Sequence, residues 1–321
     1  MSLLQVENLQ VDYFTLAGSL RAVDRVSFTI EPGEILGLVG ESGSGKSTAA
    51  MAAMRILGPP ALISGGKVLY QGRNVLAMNA DALRRWHWNE VAIVMQSALN
   101  ALNPVLTMQE HFLDTMAAHR PEQSSQHALQ RAAELMEMVD IDPRHLKSYP
   151  HELSGGMRQR VVIALALTLN PALLIMDEPT TALDVVVERE LLKKVLQLQQ
   201  ENGFAILFIT HDLSLLLEFA TRLGVLYAGR LVAIGPAEIY RQGGIHPYTQ
   251  GLLKAIPQLH GSREAFQSIS GAPPSLMNPP SGCRFHPRRR IPRTRGRAVR
   301  DLRGGLQGLR TALSRDRHAE R

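Results

Sequence analysis

"EILGLVGESGSGKS", Glu34 to Ser47, is the stretch on which the reading of this chain turns. Its first half is apolar almost throughout, the pattern of a strand buried on both faces of a parallel sheet. Its second half, Gly40-Glu41-Ser42-Gly43-Ser44-Gly45-Lys46-Ser47, fits G-x-x-x-x-G-K-[ST] directly after a strand and at the opening of a helix. The glycines let the backbone curl so that its N–H groups point inward at phosphate oxygens, and the helix N-terminus adds partial positive charge. Lys46 is suited to meet the β- and γ-phosphates and Ser47 to ligate Mg²⁺, with Thr48 closing the segment.

Two further apolar runs, "ALLIMDE" (Ala172–Glu178) and "FAILFITH" (Phe204–His211), carry the same buried-strand pattern. Helices are expected between them. One starts near Lys46, one runs from about Gly155 to Leu169 and stops at Asn170-Pro171, and one runs from Asp184, a good N-cap, to Asn202-Gly203. This alternation predicts an α/β fold with ligands at the carboxyl ends of the strands. Residues from about 97 to 167 read instead as a helical insertion, with "HALQRAAELMEMV" (His127–Val139) at helical spacing. The first 30 or so residues alternate like antiparallel strands, and the chain turns Pro/Gly-rich after about Pro257, which suggests an extended wrap or linker.

The run "LLIMDE" brings Asp177 and Glu178 to the end of a buried strand. Asp177 suits the shell of a Mg²⁺ ion, and Glu178 suits a base that polarises an attacking water. Two acids after a strand could instead begin a helix; their pairing with the phosphate loop favours the chemical reading.

Charge is unevenly spread. From Arg284 to Arg321 there are 13 Arg, no Lys and three acids, or +10, which leaves −4 for residues 1–283. The body therefore has no diffuse basic face to attract nucleic acid. A single cysteine, Cys283, excludes an internal disulfide framework and any Cys-only metal site within one chain. No run reaches about 18 consecutive apolar residues, so no bilayer span is expected. The opening "MSLLQVENLQVDYF" has no basic region followed by an apolar one, so no secretory leader is expected either.

"LSGGMRQR", Leu153 to Arg160, is similar to the signature motif of ABC-type ATPases. With it, in the family's order and spacing, come "TALD" (Thr181–Asp184), which resembles the D-loop, Gln96 after "VAIVM", which resembles the Q-loop, and His211 after "AILFIT", which resembles the switch histidine. The resemblance covers about residues 4–260. It implies a P-loop NTPase fold with a RecA-like core, an N-terminal antiparallel β subdomain and an inserted helical subdomain. It also implies a head-to-tail dimer in which ATP lies between the phosphate loop of one subunit and Ser154-Gly155-Gly156 of the other, with Asp184 nearby. Gln96 would sense Mg²⁺ and the attacking water, and His211 would hold the γ-phosphate and help orient the water. Tyr13 is the candidate for stacking on adenine and Phe14 its neighbouring alternative, with a packing role open for either.

"VGESGSGKS", "ALNPVLT" (Ala101–Thr107), "YPHELSGGMRQRV" (Tyr149–Val161) and "DEPTTALDV" together resemble the dipeptide/oligopeptide/nickel importer ATPases. "HPYTQGLLKAIP" (His246–Pro257) and "SISGAPPSL" are similar to that subfamily's C-terminal extension. The implied organisation is an ATPase domain over 1–255, the extension over 256–288 and a basic tail over 289–321. The implied protein energises an importer of peptides or a related small solute from the cytoplasmic face of the bacterial inner membrane. It would sit under two membrane permeases, beside a second ATPase subunit that is a copy of itself or a sister chain, and would depend indirectly on an extracytoplasmic solute-binding protein. The insertion and the Q-loop region would receive the permeases, with Met95, Ala98, Leu99 and Leu102 offering an apolar contact or belonging to the core. Trp86-His87-Trp88 reads as packing rather than a cargo site.

The extension usually continues "GC-x-F-x-x-RC" with two later cysteines that bind an iron–sulfur cluster in some members. Gly282-Cys283-Arg284-Phe285-His286-Pro287-Arg288 keeps the first part, but Arg289 stands where the second cysteine would be, and no cluster is expected. The Lys-free tail is either a basic segment for anionic lipid or nucleic acid, or the product of a shifted reading frame, and its composition favours the second. Other classes remain in view: a soluble ABC ATPase acting on nucleic acid or ribosomes through the tail, and a phosphate-loop enzyme outside the ABC family, such as a kinase. The signature motif disfavours the kinase, the single phosphate loop disfavours the nucleic-acid ATPase, and nucleic acid is not expected as a partner.

Overall fold

The sheet that the apolar runs build has six strands among the described residues of a computed structural model, which are 1–16, 18–96, 101–180, 183–255 and 269–289. In chain order the strands are β1 (Leu4–Thr15), β2 (Gly18–Ile30), β3 (Ile35–Val39), β4 (Ala61–Tyr70), β5 (Arg73–Asn74), β6 (Val91–Val94), β7 (Leu173–Asp177), β8 (Ala205–Thr210), β9 (Arg222–Tyr227) and β10 (Arg230–Pro236). The six-stranded sheet runs β10-β9-β3-β8-β7-β6. It is parallel from β9 to β6, with β10 antiparallel at its edge. An antiparallel sheet, β2-β1-β4-β5, forms the N-terminal layer.

The unbroken apolar runs are explained by burial on both faces of the parallel sheet. Alternation splits each strand between two cores. Leu36, Leu38, Leu173, Ile175, Leu207 and Ile209 face the N-terminal sheet and helix α1 (Lys46–Ala53). Val39, Leu174, Met176, Ile206 and Phe208 face the opposite core. That core is closed by α3 (Met108–His119), α4 (Ser125–Met138), α5 (Gly155–Ala166), α6 (Val185–Asn202) and α7 (Leu213–Phe219), which follow α2 (Ala80–Trp86) in the chain. Helices α8 (Ala237–Arg241) and α9 (Pro247–Lys254) come after β10.

The helix ends follow local chemistry. Thr107 and Glu110 form a capping box that starts α3, and Ser124 caps α4. Asp184 accepts from Val186 and Val187 N–H to start α6, which ends at Gly203 in the left-handed conformation. Helix α5 stops at Ala166, three residues short of the expected Leu169, because Leu167 already caps it. From 101 to 166 the described residues hold helices and turns and no strand. Trp86 is buried against the Tyr70 ring, and Trp88 Nε1 donates to Leu165 O, so this aromatic pair packs the fold. Leu102 is core whereas Met95 is exposed; Ala98 and Leu99 lie outside the described residues.

Met1–Arg288 form one compact unit, and Arg289–Arg321 a second, of which only Arg289 is described. None of the described helices is long and apolar enough to cross a membrane.

Candidate functional site

Sheet register gathers the candidate residues. Val39 pairs with Thr210, Asp177 with Ile209, and Val94 with Met176, so β3, β8, β7 and β6 end side by side. Gly40, His211 and Glu178 each follow the last residue of β3, β8 and β7, and Gln96 comes two residues after β6. This is the crevice at the carboxyl ends of a parallel sheet where α/β folds bind ligands. A cavity of about 530 Å³ opens there, lined by Ser42, Gly43, Ser44, Gly45, Lys46, Ser47, Thr48, Gln96, Glu178 and His211.

The loop from Gly40 to Ser47 holds a shape that its sequence alone allows. A Cβ on Gly40 would lie 2.2 Å from Leu226 O. Gly45 sits at φ +99°, and a Cβ there would lie 2.5 Å from Ala22 O. Lys46 is buried and donates to Gly40 O at 2.8 Å and Glu41 O at 3.2 Å. Burial lowers its pKa, while Glu178 and Asp177 pull the other way. The Ser44 hydroxyl is buried without a hydrogen-bond partner among the described residues. A buried orphan hydroxyl, a buried cation and a helix N-terminus around one cavity fit a polyphosphate ligand.

The acids divide between two faces of the strand end. Asp177 shares the side of β7 that faces α1, and Ser47 Oγ donates to its Oδ1 at 2.8 Å. Burial pushes the Asp177 pKa up; the Ser47 hydrogen bond and Lys46 oppose this, and Glu178 adds to it. A buried carboxylate beside a hydroxyl is a hard oxygen pair that fits a divalent cation such as Mg²⁺. Glu178 turns out of the strand at φ +47°, a conformation rare for a residue with a side chain. Its Oε2 accepts from Gln96 Nε2 at 3.1 Å and lies 3.6 Å from His211 Nδ1.

Other predicted residues stand apart from this cavity. Tyr13 is half-buried on β1 and packs on the core beneath the N-terminal sheet, and Phe14 is 55% exposed; neither lines the cavity. Ser154 caps α5 by accepting from Met157 N–H. A Cβ on Gly155 would meet nothing within 4 Å, whereas one on Gly156 would meet Val187 Cγ1 at 2.9 Å. Ser154, Gly155 and Gly156 at the start of α5, and Asp184 at the start of α6, are thus absent from the lining of the cavity of their own chain. Thr181 and Ala182 lie outside the described residues.

Glu41 is also absent from the lining. Its N–H donates to Tyr248 Oη at 3.0 Å, and both carboxylate oxygens accept from Arg288 Nη1 at 2.9 Å. Sequence reading names neither Tyr248 nor Arg288 for this site, since no local pattern joins residues more than 200 positions apart.

Residues 23–181 match the family described as ABC transporter, and 234–294 match the oligopeptide/dipeptide transporter C-terminal region. A dipeptide transport ATP-binding protein of Caldanaerobacter subterraneus subsp. tengcongensis is 41% identical over 287 residues, 89% of this chain and 88% of its own length. The chain belongs to the ABC transporter ATPase family. A dipeptide transport ATP-binding protein of Lactococcus lactis subsp. cremoris is 40% identical over 90% of this chain and 83% of its own. A bacterial ABC transporter cassette solved as a dimer superposes with TM-score 0.66 at 27% identity, over 73% of this chain and 98% of that one. A dimeric post-hydrolysis cassette bound to ADP and Pi gives TM-score 0.65 at 28% identity, over the same shares. The α/β fold with a phosphate loop is therefore that of an ABC ATPase, and the nucleotide of this family is ATP.

Proposed function

We propose that the chain is the ATP-hydrolysing subunit that energises an ABC importer of peptides, dipeptides or oligopeptides. The observation that carries this is the coexistence of two features: the cavity that joins the phosphate loop to Gln96, Glu178 and His211, and the oligopeptide/dipeptide-type C-terminal region. The dipeptide-transport relatives support the cargo class.

In this reading the loop N–H groups, Lys46, Ser44 and Thr48 bind the phosphates of ATP. Ser47, Asp177 and Gln96 would hold Mg²⁺, which would supply positive charge against the phosphate oxygens. Glu178 accepts a proton from the attacking water, and its contacts with Gln96 and His211 fix the carboxylate that does so. His211 turns its ring toward the same water and the terminal phosphate. Tyr13 or Phe14 meets the adenine once nucleotide is bound. The open helix start at Ser154-Gly155-Gly156, with Asp184, covers the ATP of a second ATPase subunit, so the site is completed only when two subunits close. That second subunit is a sister chain or a copy. The pair works under two membrane permeases at the cytoplasmic face of the inner membrane, and a solute-binding protein outside delivers the cargo.

Uptake of labelled di- and oligopeptides tests this in cells whose gene carries Lys46→Ala. Uptake is expected to fall to background. Uptake of every peptide at the wild-type rate would overturn the assignment.

A further inference from the structure

We infer that the C-terminal extension acts on the nucleotide site through Arg288, which neutralises Glu41 of the phosphate loop so that the loop can accept a polyanion. The inference rests on the reading of that loop as the ATP site.

A carboxylate inside a phosphate-binding loop poses an electrostatic problem. An uncompensated negative charge there repels the ligand the loop exists to bind. Glu41 is that carboxylate, and Arg288 supplies the compensation, with Nη1 at 2.9 Å from each oxygen. Arg288 is itself held in place. Only 7% of its side chain is exposed, Nε donates to Ser270 O at 2.9 Å, and its guanidinium lies over the Tyr227 ring at 5.7 Å.

The loop is also fixed through its backbone. Tyr248, fully buried on α9, accepts the Glu41 N–H, which keeps that amide out of the cavity. Glu41 O accepts from Lys46 Nζ, so one residue joins the extension, α9 and the loop lysine. Phe285 packs on both Tyr227 and Tyr248 at 5.3 and 5.4 Å, which places the extension against the tyrosine that accepts from Glu41 N–H and the one that accepts from Arg288. Arg284 anchors the segment a turn earlier, on Asp24 and Ala228 O, beside Gly229, whose N–H donates to Ser44 O. Glu41 and Ser44 are thus both supported from the extension side. Arg288 is not among the residues that line the cavity and is a positioning residue.

A double-mutant cycle on the full chain separates charge compensation from plain structural support. ATP affinity is measured for wild type, Arg288→Ala, Glu41→Gln and the double variant, with adenosine as an uncharged probe. Arg288→Ala should weaken ATP roughly tenfold, within the usual range of coupling between sites, and leave adenosine unchanged. Glu41→Gln in that background should restore most of the loss, because it removes the charge left uncompensated. Arg288→Lys should stay within about threefold of wild type, since one ammonium still neutralises the carboxylate. If Arg288→Ala does not fold, Arg288→Gln carries the same comparison. Wild-type ATP affinity in the uncharged variant, or a double variant as weak as Arg288→Ala, overturns the inference. A wild-type chain that binds no ATP would instead overturn the reading of the loop.

Discussion

Ser47 Oγ donates to Asp177 Oδ1 at 2.8 Å, tying the first turn of α1 to the end of β7. Asp177 is buried, and burial raises its pKa above the ordinary carboxylate value. A raised folded-state pKa means that its stabilising contribution is full at low pH and is lost as pH rises through the folded value. At neutral pH, without metal, the chain bears the cost of a buried charge. Asp177→Asn should therefore raise the melting temperature of the metal-free chain at pH 7, and the advantage should shrink on acidification toward the unfolded carboxylate range. The same variant should lose the dependence of ATP binding on Mg²⁺ that chelation reveals in the wild type. Thermal melts at two pH values and nucleotide titrations with and without chelator check both parts. A lower melting temperature at pH 7 would remove Asp177 as a held charge.

A Cβ on Gly155 would meet no atom within 4 Å among the described residues of its own chain. Gly155→Val should leave folding and ATP binding by the isolated chain unchanged. Hydrolysis should fall by roughly 10²-fold, the scale of losing one donor from a charge-stabilising site, if this helix start covers the ATP of a second subunit. Nucleotide binding and steady-state turnover on the same preparation decide it. Turnover at the wild-type rate would remove Gly155 from the site.

Asp24 Oδ2 accepts from Arg284 Nη2 at 2.7 Å and from Arg230 Nε at 2.8 Å, with Asp24 and Arg284 both buried. Burial alone would raise the Asp24 pKa, but its hydrogen bond and charge contacts with these arginines outweigh burial and lower it. The network is therefore stabilising above the unfolded carboxylate value and fades as pH falls through the lowered one. Asp24→Ala leaves a buried guanidinium uncompensated and should cost about 3 kcal/mol at pH 7. Denaturant unfolding measures this, and a loss below about 1 kcal/mol would show that Arg284 finds another partner or water.

Much of this was legible in sequence because the signals are local. The apolar runs mark strands buried on both faces, and they lie at Ile35–Val39, Leu173–Asp177 and Ala205–Thr210. Asp184 and Gly203 bound α6 in the sequence and in the structure, because an N-cap acceptor and a left-handed glycine act within one turn. The loop glycines, Lys46 and the Asp177-Glu178 pair could be read for the same reason. Strand order could not be read, nor could the antiparallel edge strand β10, since pairing partners are set by the whole core. The positive φ of Glu178 has no sequence signal, because glutamate gives no hint of a left-handed backbone. Glu41 could be assigned to the loop but not to its partner: the pair with Arg288 depends on the extension folding back across the β9 end. The basic tail drew attention by charge; among the described residues, Arg284 and Arg288 of the extension bond Asp24 and the loop residue Glu41.

Glu178 is proposed to work as the base in a site whose phosphate loop binds ATP. This role is tested most directly by measuring ATP binding and single-turnover hydrolysis for wild type and Glu178→Gln side by side. Affinity should be retained and hydrolysis should fall by roughly 10²-fold or more, the scale of a positioned general base. A Glu178→Gln chain that hydrolyses ATP at the wild-type rate would contradict the account.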